Sequence, residues 1–79
     1  MSWKPEVQVY GEEPFYQNGV TFETEQEALD SARDLASRWT LVRDYRAVEV
    51  NINEFPINYK RVNGRDVHID EPDNLLDIP

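Results

Sequence analysis

The sequence predicts an α+β domain: a single helix packed on one face of a 4-5 stranded antiparallel sheet, in the order β-β-β-α-β-β-β or one strand fewer. Three observations carry that prediction. Ala28, Leu29, Ala32, Leu35, Ala36 and Trp39 recur at helical spacing. Short segments with period-two alternation lie on both sides of this stripe. Two Asn-Gly pairs, Asn18-Gly19 and Asn63-Gly64, stand where such segments would turn back on themselves. A stripe of about 100° needs one partner surface, and only the β-branched and aromatic segments can provide it.

In chain order, Val7 and Val9 alternate with Glu6, Gln8 and Tyr10, which predicts a short first strand with one apolar face. Gly11 and Glu12-Glu13 interrupt it, and Pro14, which cannot donate to a ladder, marks the next strand as an edge or as starting there. Phe15-Gln17 and Val20-Phe22 then read as a hairpin closed by Asn18-Gly19, with Phe15 facing Phe22 and Gln17 facing Val20. The helix follows from Thr24 to Trp39. Thr24-x-x-Glu27 is a capping box, in which Thr24 accepts from the third helical N–H and Glu27 reaches back to the backbone of Thr24. Glu25, Glu27 and Asp30 near its start and Arg33 and Arg38 near its end suit the macrodipole.

Beyond the helix, Tyr45 to Ile52 is the strongest strand pattern, with Val48, Val50 and Ile52 on one side. Pro56 makes Asn53 to Pro56 a loop. Ile57-Arg61 and Arg65-Ile69 flank Asn63-Gly64. A two-residue loop would set Lys60 opposite Val67 and mix the faces. A bulged three-residue loop instead pairs Tyr59 with Val67 and Ile57 with Ile69, and is the expected register. Residues 1-70 thus form one domain, and 71-79 an acidic tail with Leu75, Leu76 and Ile78 between its acids.

Charge narrows the functional classes. Sixteen acids oppose eight bases, a net −8, spread as −6 over residues 1-31, +3 over 32-65 and −5 over 66-79. Most of this surface would repel nucleic acid, whose binding depends on Lys and Arg neutralising phosphates, so no direct nucleic-acid binding is expected. The same field attracts a basic partner, such as the nucleic-acid groove of another protein. No apolar run approaches the ~18 residues of a membrane span, the first residues lack the apolar core of a signal peptide, and there is no cysteine. A cytoplasmic setting is expected.

Catalytic chemistry finds little footing. Asp66, His68 and Asp70 share one face of an alternating segment, where they could converge on a divalent cation. With Val67 and Ile69 pointing inward, however, the same three would simply face water, so no metal, and no cofactor, is expected. Ser2, Ser31 and Ser37 have no readable base beside them, and Gly11, Gly19 and Gly64 form no phosphate-cradling loop. An enzyme is not expected. Exposed acids and aromatics are the better candidates for partner contact: Tyr10, Glu12, Glu13 and Tyr16 near the first turns, and Asp70, Glu71 and Asp73 near the tail. The alternative is a small-ligand or nucleotide site on Arg43, Arg46 and Arg61, whose guanidinium forks suit phosphate, with a homodimer deepening the site.

Asn18-Gly19-Val20-Thr21-Phe22-Glu23-Thr24, Glu27-Ala28, Ala32-Arg33-Asp34-Leu35, Arg38-Trp39, Val42-Arg43 and Pro56-Ile57-Asn58-Tyr59 resemble small proteins of tailed bacteriophages, cyanophages included, over residues 15-59. That group carries no assigned activity, so the resemblance implies a phage setting, in the host cytoplasm, and no particular chemistry. Small acidic phage proteins are similar in character to inhibitors of host machinery. The expectation is a non-enzymatic accessory or inhibitor protein that presents an acidic, aromatic surface to a basic host protein.

Overall fold

The computed structural model describes residues 1-70, and these form an α+β arrangement of one helix and five strands. The strands are β1 (Ser2–Val9), β2 (Tyr16–Gln17), β3 (Val42–Val50), β4 (Tyr59–Val62) and β5 (Arg65–His68), with α1 (Glu25–Arg38) between β2 and β3. All pairing is antiparallel, but the strands divide between two sheets, one ordered β2-β1-β3 and the other β4-β5, where a single sheet was expected. The helix packs across β1 and β3 and touches β4.

β1 is longer than its alternation predicts, starting at Ser2 and ending at Val9. Its inner residues are polar as well as apolar: Ser2, Lys4 and Glu6 are buried on one face, and Val7 and Val9 on the other. Pro5 is tolerated inside the strand because odd-numbered residues of β1 point their backbone groups away from β3. Trp3 shows this directly, its N–H donating to Phe22 O at 2.9 Å and its C=O accepting from Phe22 N at 2.8 Å. The missing N–H of Pro5 therefore breaks no β1–β3 bond.

The predicted hairpin at Asn18-Gly19 does not form. Tyr16 and Gln17 pair with Val7 and Glu6 instead, and Phe22 bridges Trp3. The loop between them is held by Lys4, whose Nζ donates to Asn18 O (2.9 Å), Val20 O (3.1 Å) and Thr21 Oγ1 (3.3 Å). Asn58 adds a second clamp, accepting from Thr21 N and donating to Gly19 O, both at 2.8 Å. These polar ties outcompete the type I′ turn that Asn-Gly favours in isolation. Phe22 ends fully buried, the largest side chain that does.

The helix begins where its capping residues place it. Thr24 Oγ1 accepts from Glu27 N at 3.2 Å and donates to Glu27 Oε1 at 2.9 Å. The other Glu27 oxygen does not reach the Thr24 backbone. It accepts from Arg61 N at 3.2 Å, tying the helix start to β4. Small residues, Ala28, Ser31 and Ala32, are the fully buried ones, which lets α1 lie close on the sheet. The helix ends at Arg38, so Trp39, expected on the buried stripe, is an extended C-cap with 39% of its surface exposed.

β3 spans Val42–Val50, where Tyr45 to Ile52 was expected. Its start is set by a register shift opposite Gln8 and Val9, and its end by an Asn51 turn that leaves Ile52 exposed. The β4–β5 hairpin corrects the expected bulge. Val62 pairs with Arg65 and Lys60 with Val67, around a two-residue loop in which both Asn63 (φ 51) and Gly64 (φ 79) take positive φ. The faces also reverse: Asp66 turns toward the helix, accepting from Ser31 Oγ at 2.8 Å, while Ile69 is 45% exposed. This hairpin docks on the polar flank of α1 and not on its apolar stripe, so apolar pairing could not reveal its register.

Candidate functional site

Two chain reversals meet at one end of the three-stranded sheet. β1 leaves the sheet at Val9, and Gly11, with φ 85, lets Glu12 N donate back to Val9 O at 3.3 Å. The helix leaves through Trp39 to Val42, closed by Val42 N donating to Trp39 O at 3.0 Å. Tyr10 N donates to Leu41 O at 2.9 Å and locks the two turns side by side. β2 supplies the third wall, because pairing with Val7 sends Tyr16 to the same side of the sheet as Val9.

The result is a groove of about 280 Å³ lined by Val9, Tyr10, Glu12, Tyr16, Trp39 and Leu41. Its large side chains are held open to solvent: Tyr10 is 65% exposed, Leu41 58% and Tyr16 45%. The Tyr16 hydroxyl donates to Glu12 Oε1, fixing both the ring and the carboxylate at the rim. That hydrogen bond, with smaller contributions from desolvation and from the charge of Glu12, raises the Tyr16 pKa above its ordinary value. Glu13 stands next in the chain, exposed, its backbone C=O accepting from Gln8 Nε2 at 2.6 Å. Rings of this kind accept aliphatic side chains and cations on their faces, and a carboxylate at the rim favours a cation.

Of the residues expected to meet a partner, Tyr10, Glu12 and Tyr16 are thus brought together, with Glu13 beside them. Asp70 is not among them. It follows β5 in the second sheet, its side chain 86% exposed and its N–H donating to His68 Nδ1 at 3.2 Å. Glu71 and Asp73, like the rest of the tail, lie outside the described residues. Sequence reasoning missed Trp39 and Leu41. Trp39 sits in phase with the helical stripe, so periodicity alone places it in the core. Leu41 carried a usable signal, an isolated leucine between Thr40 and a strand, with no alternation to place it inside.

The arginines of the anion-binding alternative are dispersed, and Arg46 and Arg61 are engaged by acids. Arg46 donates from Nε to Glu6 Oε1 at 2.7 Å, and its guanidinium lies 3.8 Å from the centre of the Phe15 ring. Arg61, in the other sheet, contacts Asp66 at 2.5 Å and Asp34 at 3.8 Å. Arg43 is exposed on β3 and lies on neither cluster. A more polar hollow of about 370 Å³ opens between the helix and the β4–β5 turn. There Arg33 and Arg61 are matched by Asp30 and Asp34, so no excess of positive charge faces a ligand. Asp66 and His68 of the candidate metal triad are likewise committed, Asp66 to Arg61 and Ser31, and His68 edge-on to Tyr59 with its ring centroid 5.1 Å away.

Among the described residues no group of three or more His, Cys, Asp or Glu side chains could hold a metal ion, and no helix is long and apolar enough to cross a membrane. Comparison with protein-family models, with curated proteins and with solved structures gives no match to this chain. The groove geometry is therefore the main guide to function.

Proposed function

We propose that this chain is a non-catalytic protein-binding module whose groove receives a basic, apolar-tipped segment of a partner protein, as a phage-type inhibitor or accessory protein would on a host target. One observation carries the reading: four large apolar side chains, Tyr10, Tyr16, Trp39 and Leu41, stay exposed around a single hollow. A domain with so few buried apolar residues gains by covering such groups, and leaving them open on one concave surface is the pattern of an interaction site. The partner's charge follows from Glu12 at the rim, with Glu13 next to it in the chain, and from the −6 carried by residues 1-31.

Trp39 serves as a built-in reporter. In a Trp3→Phe background its indole emission is titrated with short peptides bearing leucine or an aromatic flanked by lysine or arginine, and with the same peptides flanked by glutamate. The basic series is expected to shift the emission, and affinity is expected to fall about tenfold between low and high salt as the charges are screened. Leu41→Ala should weaken binding by about 1–2 kcal/mol. Equal binding of the acidic peptides, or indifference to Leu41→Ala, would refute the reading.

A further inference from the structure

β3 occupies one edge of the three-stranded sheet, and the backbone groups on its outer side can be assigned from the β1 register. Trp3 spends both its N–H and its C=O on Phe22, so the pair Trp3↔Glu49 is not hydrogen-bonded. Antiparallel alternation then turns the N–H and C=O of Glu49, Ala47 and Tyr45 away from β1. Tyr45 agrees: its N–H donates at 2.8 Å to the side chain of Asp44, the adjacent residue in its own strand. Among the described residues no strand pairs with this side. A nine-residue strand open along one edge is a template for another strand, and here it is blunted by the Asp44 carboxylate over one N–H, by the register shift at its start and by the charges of Arg43, Arg46 and Glu49, which a complementary strand would have to match.

A net charge of −8 opposes self-association over most of the surface, yet β3 itself is balanced, with Arg43 and Arg46 against Asp44 and Glu49. We propose that β3 is the interface of a two-fold homodimer, in which two copies of the strand pair antiparallel about Tyr45 and join their sheets into a continuous six-stranded one. Centring on Tyr45 sets Asp44 opposite Arg46 of the second copy, twice by symmetry, and Val42 opposite Val48. Centring one residue later brings Arg46 against its own copy, and centring on Ala47 matches no charges. Asp44 and Arg46 share the face of β3 away from the helix, so Asp44 releases its own Tyr45 N–H and takes a terminal guanidinium nitrogen of Arg46 across the dyad, while Arg46 Nε stays on Glu6 Oε1. With strands about 4.8 Å apart and each helix seated over β1 and β3, the two helices fall roughly 10 Å apart, a distance at which helices pack. This interface is inferred independently of the groove, although Leu41 at the groove immediately precedes the paired strand.

Sedimentation equilibrium of the full chain from low micromolar to millimolar concentration tests the proposal. The weight-average mass should climb from 9.3 kDa toward twice that value, and the amides of Tyr45, Ala47 and Glu49 should gain exchange protection in step. Asp44→Lys sets like charges opposite each other and should weaken the dimer about tenfold or more. Ala47→Pro removes an outward N–H without touching the β1 ladder. It should hold the protein at 9.3 kDa with unchanged circular dichroism. A constant monomer mass to millimolar concentration would overturn the proposal. So would a dimer that Ala47→Pro leaves intact, or one whose protected amides lie elsewhere.

Discussion

Replacing Lys4 by methionine keeps most of the side-chain volume and removes one ammonium, and it measures how far a polar interior holds this fold. Lys4 is 4% exposed, and its three donors meet Asn18 O, Val20 O and Thr21 Oγ1. Charge-assisted hydrogen bonds contribute about 1.5–3 kcal/mol each when one partner is deleted. Two of the acceptors are carbonyls on the half-open loop before Phe22, where water can replace the ammonium. Methionine also recovers the desolvation cost that lowers the Lys4 pKa. The three bonds therefore reduce to a net loss of roughly 2 kcal/mol. A domain of this size holds about 4–12 kcal/mol in all, so the loss is a large share. With m near 1 kcal/mol/M in urea, the midpoint should fall by about 2 M, with the Phe22 and Trp3 amides the first to lose exchange protection. An unchanged or higher midpoint would mean that the buried ammonium costs as much as its acceptors return, and the account of the 18-21 loop would fail.

Two further outcomes follow from the charged contacts. The folded state holds the Tyr16 proton above the ordinary tyrosine pKa of 10.0, so this contribution to stability is complete below that value and is lost as pH rises through the raised one; an ultraviolet tyrosinate titration should show a late Tyr16 component that disappears in Tyr16→Phe and moves to lower pH in Glu12→Gln. Asp66→Asn weakens the Arg61 contact and the bond from Ser31, and should cost about 1–2 kcal/mol, with amide exchange quickening in β4 and β5 while α1 is unchanged.

Local signals were legible where they were self-sufficient. Thr24 fixed the helix start because its hydroxyl caps Glu27 N within a single turn, although the reciprocal half of the capping box gives way to a bond from the Thr24 hydroxyl and one from Arg61 N. Asn63-Gly64 likewise announced a turn, and its two positive φ values bear that out. Legibility failed where polar groups took places that the pattern reserved for apolar ones. β1 was cut short because Ser2, Lys4 and Glu6 carry no apolar alternation, although each is buried and hydrogen-bonded. The second hairpin's register was misjudged for the same reason, since it is set by Arg61, Asp66 and Ser31, not by Val67 and Ile69. At the groove, Tyr10, Glu12 and Tyr16 were readable as exposed aromatics beside acids. Trp39 was hidden because periodicity does not say where a helix stops.

The polar face of β1 also bears on how this protein should respond to temperature. Exposure of apolar surface raises the heat capacity on unfolding, and exposure of polar surface lowers it. Among the described residues, unfolding releases Ser2, Lys4, Glu6, Thr21 and Ser31 alongside five buried apolar residues, Val7, Val9, Phe22, Ala28 and Ala32. The heat-capacity increment per residue should therefore lie below the usual ~12–15 cal/mol/K, flattening the stability curve and pushing cold denaturation further from the working range.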